Sequence, residues 1–171
     1  MYVEIVNVYK ESFPAVKLVG KCYTNADRDE MGTFACYWQQ AYREGWFEKL
    51  RQCKCIPNVS EDDLGVMHVT EQGGEFAYWI GIFLALDAEV PDGFASVELP
   101  AGEVGVCWLC GNAENGELYH AKVSDLCMEA MLQKGWHFSH NGWFFERYHC
   151  PRFTKPDEKG NVILDICAFL D

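Results

Sequence analysis

Two hydrophobic patterns alternate along this chain, and they predict strands in some segments and helices in others. Eight short runs are rich in β-branched and aromatic residues, the composition typical of strands. These runs lie at 3–9, 16–23, 64–70, 75–86, 94–99, 103–110, 142–148 and 162–170. Two segments instead carry apolar residues at helical spacing. These residues are Phe34, Tyr37, Trp38, Ala41 and Tyr42 in the first segment, and Tyr119, Val123, Leu126, Cys127 and Ala130 in the second.

Turn and capping residues set the expected limits of these elements. Asp27, followed three residues later by Glu30, predicts the start of the first helix. Gly45 is expected to interrupt or end that helix, and the second helix is expected near 115–134. Gln72-Gly73-Gly74 predicts a hairpin turn between the third and fourth strands.

The order of motifs indicates an internal repeat. The segment 13–20 (FPAVKLVG) is similar to 99–106 (LPAGEVGV), half the chain further on. Each half reads as strand, helix, strand, strand, and neither has enough apolar surface to stand alone. We therefore predict one α+β domain over 1–171, with repeats of about 1–88 and 89–171, one antiparallel sheet and two helices.

Charge and composition restrict the class of protein. The 171 residues carry 26 acidic and 14 basic side chains, a net charge of -12, which disfavours nucleic-acid binding and favours cationic ligands. The N-terminus has no secretory signal pattern, so a cytoplasmic protein with nine reduced cysteines is expected. The longest apolar run, 76–86, is too short to span a membrane as a helix. No cofactor is predicted.

One carboxylate lies in the middle of the aromatic strand 142–148. Strand alternation places Phe144, Glu146 and Tyr148 on the same face. A carboxylate between two rings is costly to bury, so Glu146 should be solvated, paired within the protein, or available to a cationic ligand. An internal salt bridge to Arg152 or Lys155 is the structural alternative.

Four further aromatic residues are candidates for the walls of a ligand pocket: Trp38, Tyr42, Tyr78 and Trp108. Packing in a core is the alternative for each of them. Cys107 and Cys110 would lie on opposite faces of a strand, and no second cysteine pair at zinc-site spacing follows, so no metal site is predicted. No catalytic motif is found.

Five motifs in order resemble a known family. They are Pro91-Asp92-Gly93-Phe94, the segment 97–102 (VELPAG), Gly111 before a helix, Phe145-Glu146-Arg147-Tyr148 and Leu164-Asp165-Ile166-Cys167. This order resembles the GyrI-like small-molecule-binding domains, which are also the effector-binding domains of AraC-type and MerR-type transcription regulators. Gly111-Asn112-Ala113 departs from the Gly-Pro-aromatic step that members often carry.

The resemblance implies a fold and a function. The fold is a duplicated strand-helix-strand-strand unit with two helices flanking a pocket, where an acid on the penultimate strand attracts lipophilic cations. Glu146 is the matching residue. With no room for a DNA-binding module between Met1 and Asp171, the chain is expected to be a stand-alone binding domain for amphipathic or aromatic cations, acting as a drug sink or as a sensor for a separate regulatory protein.

Two alternatives stay open. The first is a hydrolase of reactive cyclopropane-bearing natural products on the same fold, using Glu146 and Tyr148 for acid-base chemistry. The second is a protein-interaction module like the gyrase inhibitor for which the family is named. A homodimer would be favoured if the last strand, 162–170, lies at a border of the sheet.

Overall fold

The computed structural model describes residues 3–70 and 74–171, which form eight strands and four helices. The strands are β1 (Glu4–Phe13), β2 (Val16–Thr24), β3 (Leu64–Val69), β4 (Phe76–Leu84), β5 (Ala95–Leu99), β6 (Gly102–Asn112), β7 (Trp143–Arg147) and β8 (Asn161–Leu170). The helices are α1 (Ala35–Arg43), α2 (Trp46–Leu50), α3 (Ala121–Gln133) and α4 (Pro151–Thr154). The predicted α+β class and the eight predicted strands are confirmed, and two short helices, α2 and α4, were not predicted.

The chain divides into two compact units, each with four antiparallel strands. Unit 1 comprises Met1–Phe13 and Gly102–Asp171, and unit 2 comprises Pro14–Ala101. Strand order is β1-β6-β8-β7 in unit 1 and β3-β4-β2-β5 in unit 2. In unit 2 the strands β2, β3 and β4 are joined by β5, and in unit 1 the strands β6, β7 and β8 are joined by β1. Each unit therefore contains one strand-helix-strand-strand segment and one further strand from a different part of the chain. The chain passes between units at the two proline-containing turns that the repeat comparison aligned.

Helices α1 and α2 of unit 2 pack on its central strands. Ala41 of α1 and Trp46, Phe47 and Leu50 of α2 are buried, and both helices contact β4. Gly20 of β2 lies directly opposite Gly81 of β4. A Cβ atom added to either glycine would collide with the backbone of the other strand, so the close approach of these strands requires glycine at both positions.

The start of the first helix was predicted wrongly. Asp27 ends a short 3₁₀ turn, and its carboxylate accepts a hydrogen bond of 2.8 Å from the backbone N–H of Thr24. With this local partner, Asp27 caps the turn that precedes it, and α1 begins only at Ala35. Gly45 does end α1, at a φ of 67°. Strands β3 and β4 pair as a hairpin, but Gln72 and Gly73 of its predicted turn lie outside the described residues.

Helix α3 packs on the sheet of unit 1 and builds its core. The fully or nearly buried members of this core are Cys107, Leu109, Leu118, Val123, Cys127, Met131, Val162, Leu164, Ile166 and Ala168. Two predictions of inward-facing residues were wrong, since Tyr119 is 51% exposed and Leu126 is 47% exposed. Tyr119 belongs to a 3₁₀ turn before the helix, and the buried stripe follows every fourth residue from Val123, leaving Leu126 on its flank.

Strand β8 lies between β6 and β7 in unit 1. It is therefore an interior strand of this unit, and the condition under which it would favour a homodimer is not met. Within the described ranges 3–70 and 74–171, no helix is both long enough and apolar enough to cross a membrane.

Candidate functional site: a carboxylate on strand β7

The pairing of β7 with β8 determines which side chains lie on the same face of the sheet as Glu146. Glu146 lies opposite Ile166, which in turn lies opposite Cys107 of β6. Directly opposed residues share a face of the sheet, so Glu146 faces the side covered by α3. Phe144, two residues earlier, lies on the same face.

Tyr148 is the hydrogen-bond partner of Glu146, its hydroxyl donating to Oε2 of the carboxylate. In the described part of the chain, no Lys, Arg or His forms an ion pair with Glu146. The salt bridge to Arg152 or Lys155 that was the structural alternative does not form there. Among the described residues, the group that holds this acid is therefore a neutral donor.

Aromatic side chains lie on the same side of the sheet as this acid-hydroxyl pair. The Tyr148 ring meets Phe153 edge to face, with centroids 5.2 Å apart, and Phe144 packs against the core of unit 1. Although about half of Tyr119 is exposed, partial burial and the negative charge of Glu146 both raise the pKa of its hydroxyl. The effect of this charge indicates that Tyr119 lies near the carboxylate. Sequence reasoning missed Phe153 and the site role of Tyr119. The Cys150-Pro151 step, with proline at a helix start, could have indicated the turn that carries Phe153.

Burial raises the pKa of Glu146 to about 7, and the hydrogen bond from Tyr148 partly opposes this rise. Glu146 nevertheless keeps some accessible surface. At neutral pH this carboxyl group is therefore divided between its protonated and ionised forms.

Charged side chains on the opposite face of the same strands are fully paired. Asp165, which is completely buried, accepts hydrogen bonds from Arg147 Nε at 2.9 Å and from Arg152 Nε at 2.6 Å. Arg147 also binds Glu11 at 2.6 Å. Trp108 lies opposite Asp165, with the Arg152 guanidinium 4.7 Å from its ring centroid. Trp108 therefore lies on the face away from Glu146, and we leave it out of the site.

The other three predicted aromatic residues lie together in unit 2. Trp38 Nε1 donates a hydrogen bond of 2.8 Å to the Tyr78 hydroxyl, and the rings of Trp38 and Tyr42 are 6.0 Å apart. Phe34 stacks on Tyr78 at 4.3 Å. Tyr42 is 58% exposed, whereas Tyr78 is buried. The structure thus groups Trp38, Tyr42 and Tyr78 in unit 2, and Phe144, Glu146 and Tyr148 in unit 1.

A surface recess of about 490 Å³ lies elsewhere in unit 1 and contains none of the predicted residues. Its lining is polar and largely acidic, and comprises Glu4, Cys110, Gly111, Asp157, Glu158, Lys159 and Asn161. It has no aromatic wall for an amphipathic cation. Among the described side chains, no group of three or more His, Cys, Asp or Glu residues is arranged to hold a metal ion.

Comparison with known proteins identifies the fold through solved structures. SAV2435 bound to tetraphenylphosphonium aligns with a TM-score of 0.67 and 17% identity over 97% of this chain and 94% of that one. A Staphylococcus aureus MU50 protein named for a proposed role in transcription regulation aligns with a TM-score of 0.64 and 18% identity, covering 96% of this chain and 98% of its own. The C-terminal domain of EcmrR aligns at 0.60 with 9% identity, over 96% and 97% of the two chains.

No family model and no curated protein matches the sequence. At these low identities the structural likeness shows the fold alone. The chain has the GyrI-like fold that its motifs predicted.

Proposed function

We propose that this protein binds amphipathic or aromatic cations, with Glu146 as their counter-ion. The observation that carries the proposal is the pairing of Glu146 with a neutral hydroxyl, Tyr148, and with no basic side chain of the described residues. A buried ionised carboxylate without a cation is unfavourable by several kcal/mol, so a bound organic cation would relieve that cost. The tetraphenylphosphonium bound to SAV2435, a protein of the same fold, supports this class of ligand.

Aromatic side chains near the carboxylate suit a ligand of this kind. Tyr148 binds Glu146, Phe153 contacts the Tyr148 ring, and Phe144 lies on the same face of β7 as Glu146. Each ring that faces a cation would contribute about 0.5 to 2 kcal/mol. Flat rings and a single charge place little restriction on the shape of the ligand. The site should therefore accept several lipophilic cations and prefer them to neutral molecules of equal size. The net charge of -12 would raise the local concentration of such ligands.

A titration with tetraphenylphosphonium at pH 8 tests this proposal. The wild type should bind it saturably, whereas Glu146→Gln, which keeps the shape but removes the charge, should bind at least tenfold more weakly. Glu103→Gln is the matched control, because Glu103 is an exposed acid of the same unit. Equal binding by wild type and Glu146→Gln would refute the assignment of the counter-ion, and a neutral dye of similar size controls for simple hydrophobic binding.

One observation also favours a second candidate, hydrolysis of a reactive small molecule. Glu146 and Tyr148 are hydrogen-bonded, and a carboxyl group with a pKa of about 7 is suited to general acid-base catalysis at neutral pH. Turnover of a cyclopropane-bearing substrate that is lost in Glu146→Gln would establish this activity. Binding without any product would leave the protein as a binding module.

A further inference from the structure

The described surroundings of Glu146 restrict the groups that could neutralise its carboxylate. From β8 it faces Ile166, and from β6 it faces Cys107. Cys127 on α3 and Tyr119 before α3 lie within reach of its charge. Tyr148 completes the set. None of these groups can carry a positive charge, so none can neutralise the carboxylate.

The two arginine residues that follow Glu146 most closely along the chain are paired with other acids. Arg147 points to the opposite face of β7 and binds Asp165 and Glu11. Arg152 also binds Asp165. Moving either guanidinium to Glu146 would leave the fully buried Asp165 with one of its two partners missing, which is unfavourable. A proton is therefore the remaining counter-ion that the protein can use when no ligand is bound.

We infer that the site exchanges a proton for its organic cation: the empty site holds protonated Glu146, and capture of the cation releases that proton to solvent. This inference rests on the proposed function and adds a form of regulation to it. Charge balance is kept, since one positive charge enters the site as one leaves. The burial that raises the pKa of Glu146 to about 7 places the exchange in the physiological range of pH.

The exchange predicts how affinity depends on pH. Below pH 7 the cation competes with a proton, so its affinity should fall about tenfold for each unit of pH. Above pH 8 the carboxyl group is already ionised, and affinity should level off. Weak acidification would therefore release the bound cation without any change in the fold.

Calorimetric titration with tetraphenylphosphonium at pH 6, in two buffers that differ in their enthalpy of ionisation, measures the exchange directly. The expected result is release of about one proton per cation bound, together with an affinity about tenfold lower at pH 6 than at pH 8. Glu103→Gln should keep both properties. Any residual binding by Glu146→Gln should show no proton release and no dependence on pH.

Each outcome distinguishes this inference from the proposed function. Saturable, Glu146-dependent binding with equal affinity at pH 6 and pH 8 and no proton release would overturn proton exchange and leave cation binding intact. Absence of binding throughout pH 5.5 to 8.5 would overturn both. Proton release that persists in Glu146→Gln would assign the exchange to another group and overturn the inference as stated.

Discussion

Glu146 and Asp165 lie on neighbouring strands of unit 1, one step of register apart, yet their surroundings are opposite. Asp165 is fully buried and binds two guanidinium groups. Glu146 accepts one hydrogen bond, from the neutral hydroxyl of Tyr148. Adjacent positions along a strand point to opposite faces, so Arg147, which follows Glu146 directly, pairs with Asp165 and not with Glu146.

The difference separates an acid that is paired with basic side chains within the protein from one that has a neutral partner. Asp165 has its counter-ions built into the sheet, so it holds β7 and β8 together and has no capacity for a ligand. Glu146 lacks a counter-ion among the described residues and is held in an apolar environment that disfavours its charge. A carboxyl group that has a raised pKa and no basic partner is a candidate for a binding site.

Substitution of Asp165 is expected to have the largest effect on stability. Asp165→Asn leaves Arg147 and Arg152 without their shared carboxylate, so the free energy of unfolding should fall by about 3 to 5 kcal/mol. Urea unfolding at pH 8 measures this change. Glu103→Gln, which removes an exposed acid paired with Lys10, serves as the reference and should change stability by less than about 1 kcal/mol. Equal effects of the two substitutions would contradict the structural role of Asp165.

Substitution of Glu146 is expected to raise the free energy of unfolding, the opposite of the effect at Asp165. Because the folded protein holds a proton on Glu146 up to a pKa of about 7, and the unfolded chain loses it near 4.3, ionisation of Glu146 lowers the stability of the wild type as pH rises between these values. Glu146→Gln removes this cost. The ligand-free variant should thus be more stable than the wild type by up to about 3 kcal/mol at pH 8.

Unfolding in urea at pH 8 and at pH 4.5 tests whether Glu146→Gln is more stable than the wild type. The stabilisation by Glu146→Gln should be present at pH 8 and nearly absent at pH 4.5, where wild-type Glu146 is protonated in the folded protein. A variant that is less stable than the wild type at pH 8 would mean that a hidden cation already compensates Glu146, and the contrast with Asp165 would fail.

The smallest expected effect is that of removing the Tyr148 hydroxyl, which donates a hydrogen bond to Glu146. Tyr148→Phe keeps the ring but removes the hydroxyl that stabilises the ionised carboxylate. The pH at which cation binding is half-maximal should rise by about one unit, since a hydrogen bond to a charged group contributes about 1.5 to 3 kcal/mol. Binding of tetraphenylphosphonium measured from pH 6 to pH 9 provides this midpoint. An unchanged midpoint would show that Tyr148 does not support the charge.

Much of the fold could be predicted because it depends on local patterns. Strand alternation located β7 and placed Phe144 and Glu146 on one face. The start of α1 could not be predicted in this way, because Asp27 has a partner of its own in Thr24. A single sequence offers no means to decide between that local hydrogen bond and a helix cap.

The site was harder to predict because it depends on register. The sequence indicated Trp108 as a candidate, but pairing with Asp165 places it on the face opposite Glu146. Tyr119 was assigned to a helix face, whereas its position in a 3₁₀ turn places it near the carboxylate. Which strands pair, and in which register, is decided by contacts distant in sequence. The aromatic candidates therefore could not be sorted by composition alone.

The most direct test of the account is the ionisation of Glu146 itself, measured by the carbon-13 chemical shift of its carboxyl carbon as pH is varied. In the ligand-free protein the midpoint should lie near pH 7. With saturating tetraphenylphosphonium it should fall by at least one unit, because the cation stabilises the ionised form. A midpoint near the ordinary value of about 4.3 in the ligand-free protein, or one that the cation does not move, would contradict the assignment of Glu146 as the counter-ion of a cationic ligand.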